Sequence, residues 1–210
     1  MKGRIVKNML FFCLFLLLYI SIFKQYKTIT NAQIIDVEVF SDFFLSKQKM
    51  LFNNTLLFST FLHINHNTFL KNIVVLRYEK NFTKEILLNS LIRSFVFVGF
   101  IYLSSFISSF FIFDNINFSI LSCFTVLFPF FLRISLLYNF IYYIKQNYVY
   151  SFLFIILESL IILISYIGLG FVGIDIEFLP DLITCPVYCL GLSLALGCLI
   201  LGTSKRRDYI

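Results

Sequence analysis

The sequence lacks tryptophan and is poor in charge: 13% of its 210 residues are charged, against 60% that are hydrophobic. So few charges exclude an ordinary soluble domain, and the mean hydropathy of +0.91 agrees. The composition therefore predicts an all-α polytopic membrane protein. Without tryptophan, aromatic belts at the membrane surfaces have to be built from the 12 tyrosines and 29 phenylalanines.

Common enzyme motifs are also absent from the sequence, which has no Walker A segment, no HExxH and no GxSxG elbow. Gly168, Gly170 and Gly173 match the letters of the dinucleotide fingerprint. That fingerprint needs a strand before it and a helix after it in water, whereas here it ends an apolar block. We therefore predict that the chain is not an enzyme and binds no cofactor of its own.

The histidines and cysteines do not predict a metal site. His63 and His66 could ligate a metal from one helical turn, but no acid or cysteine lies near them, and we interpret them as polar residues at a membrane boundary. Cys185 and Cys189 lie one turn apart, where packing is favoured over the alternative of a redox role. The five cysteines show no metal-type pairing.

Six apolar blocks approach the length that a helix needs to cross a hydrocarbon layer of about 30 Å. The predicted spans are residues 9–23, 49–66, 94–113, 118–144, 149–170 and 182–202. The first follows a basic stretch typical of a signal peptide or a first span, and the lack of a small-x-small cleavage site favours a retained span. The second is interrupted by asparagines and histidines.

Charge placement orients these spans, because cytoplasmic loops collect lysine and arginine. With both termini in the cytoplasm, 12 of the 17 cations are inside and 7 of the 11 acids are outside. Without a span at 49–66, more cations would lie outside, so the charges support six spans. Residues 24–48 then form an extracytoplasmic loop, in which residues 33–40 alternate like a short strand.

The net charge of +6 has the same explanation. The cations flank apolar blocks, where they set orientation and contact anionic membrane lipid, so we predict no nucleic-acid partner.

Two ionisable residues lie deep within predicted spans. Arg133 and Glu158 stand 13 and 12 residues from the turn at Gln146, at matching depth on neighbouring antiparallel helices. Because an unpaired charge in the bilayer is costly, we predict an ion pair. The pair could be a polar point on a substrate path, a proton site, or a bond that only fixes helix packing.

Small residues recur at helical spacing in two spans, where they indicate internal packing or a subunit interface, the former being favoured. These pairs are Ser104 with Ser108, Ser105 with Ser109, Gly191 with Ala195, and Ser193 with Gly197.

The segment between the second and third spans carries the sequence Val75-Leu76-Arg77-Tyr78, followed by Lys80 and Lys84, and the chain ends near a second basic group, Lys205-Arg206-Arg207-Asp208. With six spans in about 200 residues, this pattern resembles bacterial ABC transporter permeases. It is most similar to the small permeases of bacteriocin or lantibiotic export and self-immunity systems in Gram-positive bacteria. The Trp-x-Pro-x-x-Asp pattern of a related group is missing, and only Pro180-Asp181 stands here.

The resemblance implies a multi-pass protein of the cell membrane that moves a peptide, bacteriocin or drug-like amphiphile. Residues 67–93 would form a coupling loop or helix that docks on a separate ATPase subunit, which would bind the ATP. The coupling residues would be Arg77, Tyr78, Glu79, Lys80 and Lys84. A second copy or a sister permease would complete the path. The alternative is a membrane protein that does not transport, such as an immunity factor or a scaffold.

Overall fold

A computed structural model of the protein describes residues 2–30, 34–36, 46–65, 79–113, 115–117, 120–145, 147–171 and 184–207. The described helices are α1 (Lys2–Thr30), α2 (Lys47–Lys49), α3 (Thr55–Ile64), α4 (Glu79–Ile112), α5 (Ile120–Lys145), α6 (Tyr148–Phe171) and α7 (Pro186–Arg207). A π-helical turn, Met50–Asn54, joins α2 to α3, so that residues 47–64 form one helical rod. Two short strands, β1 (Ile34–Asp36) and β2 (Asn115–Asn117), complete these elements.

The fold is that of a helical membrane protein. Four helical stretches are long and apolar enough to cross a bilayer: Val6–Thr30, Ile86–Ile112, Phe124–Lys145 and Tyr148–Gly168. A fifth apolar stretch, Pro186–Gly202, is shorter. The composition-based prediction of a helical membrane protein therefore agrees with the structure, and the strands add only three residues each.

Side-chain contacts give the relative directions of the helices. Near the start of α1, the ring of Phe11 lies 6.3 Å from that of Phe97, and near its end Lys27 contacts the carbonyl of Ile112. Residue numbers rise together along both helices, so α1 and α4 run parallel. The chain between two parallel neighbours has to return from one end of the bundle to the other.

The rod of residues 47–64 runs in that returning direction. The carbonyl of Asn65 accepts a hydrogen bond from Arg93 at 3.1 Å, and the ring of Phe61 lies 6.1 Å from that of Phe100. Here the numbers fall along α3 as they rise along α4, so the two are antiparallel. The rod thus takes the chain back alongside α4.

The strands join two connections at the end of the bundle where α1 and α4 finish. They pair in parallel, with Ile34 opposite Asn115 and Asp36 opposite Asn117. The extended segment expected within residues 33–40 is therefore present as β1. At the same end, Lys27 Nζ donates to the Ile112 carbonyl at 2.5 Å, which puts a cation at the negative end of the α4 dipole.

Phenylalanine rings fill the centre of the bundle. The ring of Phe58 lies 4.8 Å from the rings of both Phe97 and Phe131, which themselves meet edge to face at 4.8 Å. All three are fully buried. Lipid tails are as apolar as these side chains, so close packing rather than water exclusion holds the helices together here.

Candidate functional site

The centre of the candidate site is an ion pair between α5 and α6. Arg133 Nη1 lies 2.8 Å from Glu158 Oε1, so the pairing expected from matched depth is present in the structure. The Arg133 side chain is 4% exposed, and that of Glu158 is 23% exposed. At such burial each charge depends on the other, because little water reaches the guanidinium.

One salt bridge does not satisfy the polar atoms around this pair. Arg133 Nε and Nη2 and Glu158 Oε2 are buried and have no hydrogen-bond partner among the described residues. The hydroxyls of Ser135 and Ser159 are also buried and have no hydrogen-bond partner among the described residues. Serines inside helices commonly donate to the carbonyl four residues back, as Ser94 does to Ser90, so the two unpartnered hydroxyls are a departure from the local norm.

A small cavity lies on the neighbouring face of α6, where the rod of residues 47–64 packs against it. Its volume is about 10 Å³, and its walls include the polar side chains of Thr55 and Ser159. The Thr55 hydroxyl donates to the Met50 carbonyl at 2.9 Å across the π-helical turn. The wider backbone of such turns is common at functional sites.

A second polar cluster ties α4 to the rod and to α5, close to where α3 ends. Arg93 is 9% exposed and holds the carbonyl of Asn65, while Asn139 Nδ2 donates to Ser90 Oγ at 2.7 Å. No sequence pattern predicted these bonds. Arg93, the last residue of the predicted coupling loop or helix at residues 67–93, is buried inside the bundle. The feature of the sequence that could have indicated these bonds is the presence of polar residues, Ser90, Arg93 and Asn139, among apolar ones.

The expected coupling segment is only partly described. Arg77 and Tyr78 lie outside the described residues, whereas Glu79 and Lys80 begin α4, and Lys84 is exposed on its surface. Residues 79–93 are therefore helical and continuous with the third span rather than a loop before it. The contact of these residues with an ATPase stays a prediction.

The small-residue faces separate into two kinds. The four serines of the small-residue face of α4 (Ser104, Ser105, Ser108 and Ser109) are fully buried, and Ser108 Oγ lies 3.4 Å from the Leu16 carbonyl of α1. On α7, Gly197 is buried beside Leu87, whereas Gly191 and Ala195 are exposed. The serine face thus packs internally, and the Gly191 face points away from the described bundle.

The remaining candidates lie in ordinary surroundings. The ring of His63 lies within 5.2 Å of the rings of Tyr148 and Phe152, and His66 falls outside the described residues. Cys185 and Cys189 form no disulfide within the described part of the chain, and the first is half-buried and the second buried. Over the residues that the structure describes, no cluster of His, Cys, Asp and Glu could hold a metal ion. Gly168 lies on α6, an apolar helix rather than a strand.

No family model matches the chain, and no curated protein or solved structure is significantly similar to it. The fold and the site therefore define its class as a helical membrane protein with a charged pair buried between two apolar helices.

Proposed function

We propose that this chain is the membrane-spanning permease subunit of an ABC transporter, which moves an amphipathic substrate by means of a separate ATPase subunit. The supporting observation is the shape of α4. This helix begins at Glu79, seven residues before its apolar part starts at Ile86, and Lys84 is exposed on that extension. Seven residues project a span by about 10 Å, which is enough to present a charged surface beyond the hydrocarbon layer.

A six-span topology underlies this proposal, and the helix directions support it. α1 and α4 run parallel with an antiparallel rod between them, and α5 and α6 form a hairpin closed at Asn147. Near the end of α7, Ile200 belongs to the same buried apolar cluster as Ile86 of α4. The start of α1 and the end of α7 therefore share one end of the bundle, which we propose is the cytoplasmic one, in agreement with the charge distribution.

A second permease copy, or a sister permease, would complete the path. The exposed face of α7 supports this part of the proposal, because Gly191, Ala195 and Cys198 recur at helical spacing and point outward. Small side chains let two helices approach closely in a membrane. Phe and Tyr side chains would suit a path for amphipathic peptides, since they offer apolar area without a fixed hydrogen-bond pattern.

The competing proposal is a membrane protein that does not transport, either an immunity factor that intercepts a toxin or a scaffold. The buried ion pair fits this reading if its role is only to hold α5 against α6. The two proposals differ in whether an ATPase binds.

Affinity purification of the tagged chain from its own cells tests the proposal. We expect near-stoichiometric recovery of a subunit that binds and hydrolyses ATP, and its loss when Arg77 and Tyr78 are both changed to alanine. Lys145→Ala is the matched control, because Lys145 is an exposed cation at the same proposed membrane side but outside the coupling segment. A clean monomer without any ATPase would reject the permease and favour the immunity or scaffold function.

A further inference from the structure

We infer that a groove between α1 and α4 binds one acyl chain of an anionic phospholipid, whose phosphate lies beside the basic start of α1. This inference requires only that the chain lies in a membrane, as its apolar helices indicate. It does not rest on the proposed transport function, and its test needs no ATPase.

The α1–α4 groove is apolar and open to the membrane. Its volume is about 360 Å³, within the range of about 300–1,000 Å³ that is usual for small-molecule sites. The rings of Phe12 and Phe100 lie 5.7 Å apart where the two helices meet. Met9, Cys13 and Leu103 are exposed at its sides. The side chains that line the groove are Asn8, Met9, Phe12, Cys13, Phe100 and Leu103.

Hydrocarbon fits this groove better than water or a polar ligand does. The groove lies within the apolar stretches Val6–Thr30 and Ile86–Ile112, and among its lining residues only Asn8 and the weakly polar thiol of Cys13 interrupt the carbon surface. Atoms packed into such a space gain the dispersion contacts that an empty groove lacks. Lipid chains are already present at this depth, so no molecule has to leave water to fill the groove.

The charge at the start of α1 favours an anionic headgroup. α1 contains no acidic residue, and its first two turns carry Lys2, Arg4 and Lys7. Seven residues make nearly two full turns, so Lys2 lies on the same face of α1 as Met9. Lys7 lies on a different face, which Leu14 shares for the same reason. A phosphate beside Lys2 would therefore meet positive charge that α1 itself does not balance, and such charge attracts anionic lipid.

The order of these groups along α1 matches a phospholipid. Lys2 precedes the apolar stretch that begins at Val6, whereas the groove residues Asn8 and Cys13 lie inside that stretch. Lys2 and Met9 are about 10 Å apart along the helix axis. A phospholipid has its phosphate at the membrane surface and its chains directed inward. One lipid can therefore reach Lys2 with its phosphate and the groove with a chain.

A second copy of the chain is a poorer occupant of the groove. Copies inserted in the same orientation bring their own α1 cations to the same depth, where like charges repel. An anionic lipid brings the opposite charge. Charge complementarity therefore favours lipid over a self-interface at this face.

Lipid quenching of a single tryptophan tests the inference, because the chain contains no tryptophan. Met9→Trp places the reporter at the groove, where Met9 is 64% exposed. Leu14→Trp is the matched control, because Leu14 is 54% exposed, does not line the groove, and follows Lys7 as Met9 follows Lys2. Each variant is reconstituted in vesicles of phosphatidylcholine and phosphatidylglycerol, with brominated chains on one lipid at a time. Bromine quenches the tryptophan that it contacts.

We expect Met9→Trp to favour phosphatidylglycerol over phosphatidylcholine by about fivefold, the selection that one lysine near a membrane surface supplies. The preference at Leu14→Trp should be less than about twofold, because a lipid that no groove holds exchanges freely past Lys7. Adding Lys2→Gln should remove most of the preference at Met9→Trp, whereas adding Lys7→Gln should leave it unchanged.

Equal preferences at the two reporters would show selection by charge alone and overturn the inference, as would a Lys2→Gln change without effect. A Met9→Trp reporter that neither brominated lipid quenches would show that protein covers the groove, with the same consequence. If Met9→Trp fails to fold, Leu103→Trp on the opposite wall replaces it, and Phe106→Trp, exposed outside the groove, is its control. Equal preferences for that second pair would overturn the inference as well.

Discussion

Removing the charge of Glu158 should destabilise the bundle more than removing the charge of Arg133. In Glu158→Gln the guanidinium keeps its charge but loses its counter-ion, and the Arg133 side chain is only 4% exposed. Deleting one partner of a buried ion pair costs about 3–5 kcal/mol. In Arg133→Gln the remaining carboxylate is less deeply buried, at 23% exposed, so we expect a smaller loss, about 1–3 kcal/mol.

The double variant Arg133→Gln with Glu158→Gln distinguishes pairing from two independent effects. It leaves no charge in the bundle interior at these positions, and two amides can bond to each other. We therefore expect it to be no less stable than Glu158→Gln alone. The measurement is the free energy of unfolding by SDS in mixed micelles, followed by tyrosine fluorescence, because the chain has no tryptophan.

Leu157→Gln is the control for this cycle, because it adds an amide one residue away on an exposed part of α6 without touching the pair. Losses that simply add in the double variant would refute the argument from coupled charges. So would a Leu157→Gln variant that loses as much stability as Glu158→Gln.

Three further predictions follow from contacts between other helices. Asn139→Leu should lose about 1 kcal/mol of unfolding free energy in the same SDS assay. Ser90→Ala should cost less when added to Asn139→Leu than when made alone, since both changes remove the Asn139–Ser90 bond and only Ser90→Ala also removes the bond from Ser90 to the Ile86 carbonyl. If two copies pair through the outer face of α7, mild oxidation should cross-link the exposed Cys198 of one copy to that of the other, giving a dimer on a non-reducing gel. Cys198→Ser should abolish that dimer. A monomer band for both the unmodified protein and the variant would argue against this interface. Lys27→Met should lower the free energy of unfolding by about 0.3–1 kcal/mol, because it removes the contact with the end of α4. Its control, Lys24→Met at an exposed position, should leave the SDS midpoint unchanged.

The sequence carried enough information to predict the ion pair, because depth can be counted from a turn. Arg133 and Glu158 were the ionisable residues far inside predicted spans, and equal distance from Gln146 placed them together. The same reasoning could not reach Ser90 and Asn139, since a neutral polar side chain in an apolar run does not reveal which neighbour it faces. The rotation of each helix about its own axis decides which neighbour a side chain contacts, and that rotation is set by packing between helices.

The hydropathy pattern also did not predict where the helices begin and end. The first span was predicted at residues 9–23, but α1 covers Lys2–Thr30, and the third was predicted at 94–113, whereas α4 begins at Glu79. Extending an existing helix costs little, because each added residue gains one backbone bond, so helices continue into polar sequence. The π-helical turn at Met50–Asn54 interrupts the second predicted span, residues 49–66, and no residue pattern predicted it.

The fastening of α1 to α4 has a mechanical consequence. Both the Lys27 contact with Ile112 and the pairing of β1 with β2 lie at the end where these two helices finish. Because α1 and α4 are joined at these ends, a change in the angle between the two helices displaces the joined ends least and the opposite ends most. Any opening between α1 and α4 would therefore be widest at the end where both begin, the same end from which the charged extension of α4 projects.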